Sequence, residues 1–418
     1  MRRARVSLAA ALVAVSWALC AVSAASAAEP PPIQATAAVL MDTDTRAVLF
    51  DRNMHARRPI ASTTKVMTAL LALEHADQAA DVTVSASVLG IEGSNVGLKP
   101  GDVVRMGDLL PSLLLASGND AAVAIAEHIG GSIAGFADMM NVRAAELGAH
   151  DSHFTNPHGL YDPKHCSSAY DLGLITSEAF RHPRFAELVG SKTAEVQLPS
   201  APEGVVQLVN HNKLLWRADF VDGVKTGFVK ESGHCLIASG SRNGWRLIAV
   251  VLDSPDMYAD AKALLDYGFA AFSRHVYARA GDAVGQAPVK AGKLSRVPAV
   301  AEWTLAAVTG PGVAEDCRLE VRLEKLTAPL GKGARVGMAR LVSAGGEVIA
   351  ASPLVAGEAV PRSWLKIIAA WLVRSAAAIA VFVFSVRTCA KIVKARRRRR
   401  RLLATQSSGP YPGGPRSG

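Results

Sequence analysis

Cysteine and aromatic residues are scarce in this 418-residue chain, which holds five Cys and only 6% Phe, Trp and Tyr. So few cysteines cannot form a disulfide framework, and Cys166, Cys235 and Cys317 stand far apart in sequence. One pair among the three, or free buried thiols, both remain open. There is no Cys/His cluster at structural-zinc spacing, no Gly-rich phosphate loop and no internal repeat. Those absences exclude zinc modules, phosphate-loop nucleotide enzymes and solenoids. What is present is an ordinary globular composition, 50% hydrophobic and 20% charged, long enough for two folded domains with appendages.

The body also lacks the positive excess that the formal net charge of +10 suggests. Between Glu29 and Pro361 there are 30 Lys and Arg against 36 Asp and Glu. The excess sits at the ends, which argues against nucleic acid as a partner. At the start, Arg2, Arg3 and Arg5 precede an apolar stretch, Val6 to Val22, and a small-residue run containing Ala25-Ser26-Ala27. This reads as a signal peptide over 1–28, with a retained anchor as the alternative. At the other end, Ile367 to Val386 is mostly apolar and is followed by Arg387, Lys391, Lys394 and Arg396 to Arg401. The expectation is a transmembrane or membrane-associated helix over 364–387 and a basic, disordered cytoplasmic tail over 388–418. The body would then be exported and held on the extracytoplasmic side of the cell membrane.

Along the body, Ala37 to Met41 and Arg46 to Asp51 read as a hairpin around Asp42-Thr43-Asp44-Thr45. Helical patterns follow over Gly107 to Leu115, Asp120 to Ile129 and Ile133 to Leu147. His234 to Ser241 and Trp245 to Asp253 flank an Asn243-Gly244 turn, and Met257 to Phe272 reads as an amphipathic helix. Short strands with Gly/Pro turns begin near Arg274 and include Arg318 to Leu323, Arg335 to Val342 and Glu347 to Leu354. The domains expected are 29–273, mixed α and β, and 274–360, all β.

Three short motifs carry chemistry. Ser62-Thr63-Thr64-Lys65 precedes the helical run Val66, Met67, Leu70, Leu71, so a hydroxyl and an amine share one face at a helix start, with Ser62 and its threonine neighbours as cap. A serine becomes nucleophilic when a base takes its proton, and a lysine serves as that base when burial or another cation lowers its pKa. Ser117-Gly118-Asn119 lies between two helices, where a loop presents both side chains to a cleft. Lys225-Thr226-Gly227 places a cation beside a strand glycine that permits close approach of a ligand backbone. Singly, each is explained as well by a helix cap, an interhelical turn and an edge-strand charge.

Together, in this order, they resemble the SxxK, SxN and KTG signatures of penicillin-binding proteins and serine β-lactamases. Pro59 to Lys65, the segment Phe154-Thr155-Asn156-Pro157-His158-Gly159-Leu160 with His165 and Asp171-Leu172, Asn210 to Leu215, and Asp222 to Gly227 narrow the resemblance to low-molecular-mass D-alanyl-D-alanine carboxypeptidases. It covers about Pro32 to Phe272 strongly, and the β module more weakly through Thr327 to Gly333 and Val336-Gly337. That resemblance implies an α/β (α+β) transpeptidase-like domain with an antiparallel sheet and a helical region, followed by a small β domain. It implies peptidoglycan stem peptides ending in D-Ala-D-Ala as substrate, β-lactams as covalent inhibitors, and no metal or organic cofactor. Ser62 would be the acylated nucleophile, Lys65 its proton acceptor and Ser117 the relay to the leaving amine. Asn119 would bind Lys65 or the substrate amide, and Lys225 and Thr226 would hold the terminal carboxylate beside Gly227. The backbone N–H groups of Ser62 and Phe228 would form the oxyanion hole.

Two departures from that pattern and one contrast with the Ser-Asp-Asn of class A β-lactamases matter. Val229 stands where relatives usually carry Thr or Ser, Cys166 follows His165 where a larger residue is typical, and the second motif is Ser-Gly-Asn. No Glu-x-x-x-Asn lies between Ser117 and Lys225 to activate a deacylating water, so a β-lactam should trap Ser62. His158 and His165 are expected to organise their loop. The alternatives are a D,D-endopeptidase, transpeptidase or β-lactamase on the same fold, and a silent peptidoglycan-binding envelope protein.

Overall fold

The structure, a computed structural model, describes residues 29–311 and 317–406. The signal peptide read over 1–28 and the segment 407–418 lie outside the described residues. The first hairpin is β1 (Ala37–Asp42) and β2 (Val48–Arg52), followed by α1 (Lys65–His75), β3 (Asp81–Thr83) and β4 (Val103–Arg105). Next come α2 (Met106–Leu114), α3 (Asn119–Gly130), α4 (Ile133–Leu147), α5 (Ala169–Ala179) and α6 (Pro183–Gly190). A small hairpin, β5 (Thr193–Gln197) and β6 (Val205–Val209), and the turn α7 (Leu214–Arg217) lead to β7 (Val221–Val229), β8 (Gly233–Arg242), β9 (Trp245–Leu252) and α8 (Met257–Ala271).

Five strands form one antiparallel sheet in the order β2-β1-β9-β8-β7. All six residues of β1 are buried, because helices cover both of its faces. Val39, Ile237, Ile248 and Val250 pack with Val66, Leu70 and Ile175 on one side. Leu40, Leu236, Leu247 and Val251 pack with Leu264 and Leu265 of α8 on the other. The β8–β9 turn is the expected two-residue one: Arg242 pairs with Trp245, and Asn243 and Gly244 have φ of 53° and 75°. At the far end, no further strand among the described residues lies beside β7, which so offers a free edge.

The later strands are β10 (Ser273–Ala278), β11 (Ala283–Lys290), β12 (Arg296–Ala301), β13 (Leu305–Thr309), β14 (Cys317–Leu323), β15 (Leu326–Thr327), β16 (Arg335–Ser343) and β17 (Val348–Ala356). Six of them make a sheet ordered β14-β16-β17-β12-β11-β15. The described chain separates into two compact units, one running to Ala280 and taking in Trp303–Glu320 and Arg340–Ser352, the other holding Gly281–Glu302, Val321–Ala339 and the chain from Pro353. The last element, α9 (Trp364–Gln406), is long and apolar enough over Trp364–Arg399 to cross a membrane. It corrects the expectation of disorder from residue 388: the helix continues through the basic cluster to Gln406. Arg, Lys, Ala and Leu are all strong helix formers, so charge ends the apolar stretch without ending the helix.

Candidate active site

Ser62 lies in a single 3₁₀ turn, Ala61–Thr64, that runs into α1 at Lys65. This corrects the expectation that Ser62 caps the helix; no side chain caps the start of α1. Residues three apart eclipse one another on a 3₁₀ turn, which brings the amine under the hydroxyl more directly than an α-helix would. Lys65 Nζ is 2.9 Å from Ser62 Oγ. The two threonines of the motif hold the turn, Thr63 Oγ1 donating to Ile60 O at 2.6 Å and Thr64 Oγ1 to Ala61 O at 2.8 Å. Ala61 has φ of 47°, in the left-handed region where a residue with a side chain is strained by roughly 1–2 kcal/mol.

Lys65 is completely buried and has three oxygen neighbours. Besides Ser62 Oγ, its Nζ reaches Asn119 Oδ1 at 2.6 Å and the His158 carbonyl at 3.1 Å. A neutral amine carries two N–H groups and one lone pair. With the N–H groups donating to Asn119 and His158, the lone pair is left for the Ser62 proton. Burial pushes the Lys65 pKa well down, and the nearby Lys225 charge pushes it further, against an opposing pull from Asp120.

Asn119 is the first residue of α3 and is itself fully engaged. Its Nδ2 donates to Glu92 O at 2.6 Å and its backbone N–H to Ser94 O at 2.7 Å. The next residue, Asp120, is buried, and one carboxylate oxygen accepts from Val96, Gly97 and Leu98 N–H at 2.9–3.0 Å. Ser117, buried with φ of 61°, occupies the turn just before α3. The His211 N–H donates to Leu115 O, tying the Asn210-His211-Asn212 segment to that turn.

The third motif lies on the free edge strand. Lys225 is buried, its Nζ donates to Thr226 O at 3.0 Å, and burial lowers its pKa to about 7. A Cβ at Gly227 would come within 3.0–3.1 Å of Ile60 O, Ser62 N and Thr63 N. The glycine therefore clears space for the chain's own nucleophile turn, where the sequence suggested a ligand backbone. Val229 N–H donates to Ser232 Oγ within the β7–β8 hairpin. Strand alternation then aims the Phe228 N–H at the free edge. The Phe228 ring is exposed and stacks on His234 at 4.5 Å between centroids. Thr226 is half-buried.

Ser62, Lys65 and Asn119 are thus directly joined, Lys225 stands within reach of their charge, and Gly227 touches the nucleophile turn. The motifs gave no sign of Asp120 or of the Glu92, Ser94 and His158 carbonyls. An acidic residue in the first turn of α3 was the only available signal for Asp120. Carbonyls leave no trace in residue identity. Cys166 and Cys235 are free thiols, and burial raises the Cys235 pKa to about 11.

The chain is similar to known proteins over most of its length. The family model described as D-alanyl-D-alanine carboxypeptidase matches residues 24–256, and that of the penicillin-binding protein 5 C-terminal domain matches 272–362. The D-alanyl-D-alanine carboxypeptidase DacF of Bacillus subtilis is 34% identical over 335 residues, 78% of this chain and 85% of its own. DacD of Escherichia coli is 34% identical over 355 residues, covering 79% and 88%. Penicillin-binding protein 5 of Haemophilus influenzae superposes with a TM-score of 0.59 at 31% identity, over 80% of this chain and 99% of that one.

Proposed function

Because the chain belongs to the D-alanyl-D-alanine carboxypeptidase family, we propose that it removes the terminal D-alanine of peptidoglycan pentapeptide stems through an acyl-enzyme on Ser62. The observation that carries the reading is the Lys65 amine, buried against Ser62 Oγ with both of its other directions filled by acceptors. As Ser62 Oγ bonds to the penultimate carbonyl carbon, its proton passes to Lys65 Nζ. The Ser62 and Phe228 N–H groups receive the oxyanion. Collapse breaks the C–N bond, and the departing D-alanine nitrogen takes a proton through Ser117. Water then attacks the ester, its proton going to Lys65, and the tetrapeptide leaves with Ser62 restored. Lys225, cationic, and Thr226 hold the substrate carboxylate.

The same steps run with a β-lactam, whose ring opening leaves no departing group to make room for water. The penicilloyl ester on Ser62 is therefore expected to persist. The catalytic part is assigned to 29–273 and the β domain to 274–360. The α9 helix, its basic end cytoplasmic, would hold the enzyme on the outer face of the cell membrane. Measuring D-alanine release from a pentapeptide by the wild type and by Ser62→Ala tests the reading. Release by the wild type alone is expected, and equal release by both, or none by either, would overturn it. Mass-spectrometric mapping of a penicillin adduct to any residue other than Ser62 would do the same.

A further inference from the structure

His165 takes no part in the steps above, yet it is almost fully buried and both of its ring nitrogens are engaged within hydrogen-bonding distance of the nucleophile turn and its own loop. Its Nδ1 accepts from the Thr155 N–H at 3.1 Å. A nitrogen that accepts carries no proton, so the neutral ring has its hydrogen on Nε2. Nε2 lies 2.9 Å from Thr64 Oγ1, whose own hydrogen is directed to Ala61 O. The donors therefore run in one direction, from Thr155 N–H through the imidazole and the Thr64 hydroxyl to the carbonyl of strained Ala61. Phe154 packs edge-on to the ring at 5.6 Å.

The loop is pressed on the same two atoms elsewhere. A Cβ at Gly159 would lie 1.9 Å from Ala61 O and 2.7 Å from Thr64 Oγ1. Thr68 Oγ1 donates to Pro157 O at 2.5 Å. Between those contacts sits the His158 carbonyl, one of the two acceptors that aim the Lys65 lone pair. We propose that His165 is a positioning residue for acyl transfer: its neutral ring, protonated on Nε2, ties the 154–165 loop to the nucleophile turn and so keeps the His158 carbonyl on the Lys65 amine and water away from it.

This inference rests on the acyl-transfer reading, and the test separates the two. The acid limb of the acylation rate reports the Lys65 pKa, which also feels Lys225 from β7 and Asp120 from α3, and which the His158 and His211 rings face. The groups around His165 are Asp162, His153 and His158, and burial holds its pKa down at about 4. Acylation by a chromogenic penicillin is measured against pH for the full chain in detergent, as wild type, His165→Ala and His165→Gln. With His165→Ala, water reaches Lys65 and its pKa rises, so the limb is expected to move up by roughly one pH unit and the rate at neutral pH to fall by about tenfold or more. His165→Gln keeps an N–H for Thr64 and should lie between the two. A purely structural role would scale the rate equally at every pH, so an unmoved limb overturns the proposal. Should both variants fail to fold, nitrogen-15 resonances of labelled histidine in the wild type decide it: a charged ring, or a proton on Nδ1 at neutral pH, overturns it. If the wild type forms no adduct on Ser62, it is the acyl-transfer reading that fails.

Discussion

At the residue scale, the proposed mechanism gives two buried lysines different work. Lys65 must be neutral to take a proton, and its surroundings press it that way. Removing its amine should cost about 10²–10⁴ in kcat, the usual worth of a general base, and pre-steady-state acylation by Lys65→Ala measures it. Lys225 must be charged to hold a carboxylate, yet burial lowers its pKa to about 7. In the free enzyme it is cationic below that pH and loses its charge as pH rises through it. The kcat/KM for a carboxylate-ended peptide is therefore expected to fall above about pH 7. A bound carboxylate restores the charge, so kcat at saturation should fall later. A basic limb at the same pH for both parameters would show that Lys225 does not meet the carboxylate.

At the scale of elements, the two strand-hairpin glycines separate catalysis from stability. At Gly227 an added methyl meets the backbone of Ile60, Ser62 and Thr63 at 3.0–3.1 Å, so β7 and the nucleophile turn must part by some tenths of an ångström. Gly227→Ala should lower kcat/KM by about ten- to a hundredfold, since small misplacements of reacting groups cost that much. At Gly244 a methyl meets nothing within 4 Å but sits at φ of 75°. Gly244→Ala should therefore cost about 1 kcal/mol in denaturant unfolding and leave kcat unchanged. The β8–β9 turn around Gly244 was legible in the sequence because Asn-Gly specifies it locally. The three motifs were legible for a similar reason, each packing its chemistry into three or four consecutive residues. The 3₁₀ turn was not, because its geometry follows from contacts with Gly227 and Gly159, far away in the chain. The second acceptor on Lys65 is a backbone carbonyl 93 residues distant, which no side-chain pattern encodes.

At the scale of the molecule, the open question is how the catalytic unit meets an insoluble polymer. Helix α9 has 43 residues, about 65 Å of helix, against a hydrocarbon layer of about 30 Å. The apolar stretch from Ile367 to Val386 alone matches that layer, which leaves the arginine-rich remainder in water on one side. Its Trp364, Trp371, Phe382 and Phe384 are all exposed. A helix that spans the bilayer is held by its apolar area and resists both 1 M salt and alkaline carbonate, whereas one lying on anionic headgroups is held largely by charge and is released by salt. The full chain is expected to stay with the membrane fraction in both washes. A chain ended after Arg362 should be recovered soluble and release D-alanine from a free pentapeptide within about twofold of the full chain, because every group placed at the site lies before residue 240. Loss of the full chain into the salt wash would replace the spanning helix with a surface-lying one. Loss of activity on removing α9 would mean that the anchor also supports the site.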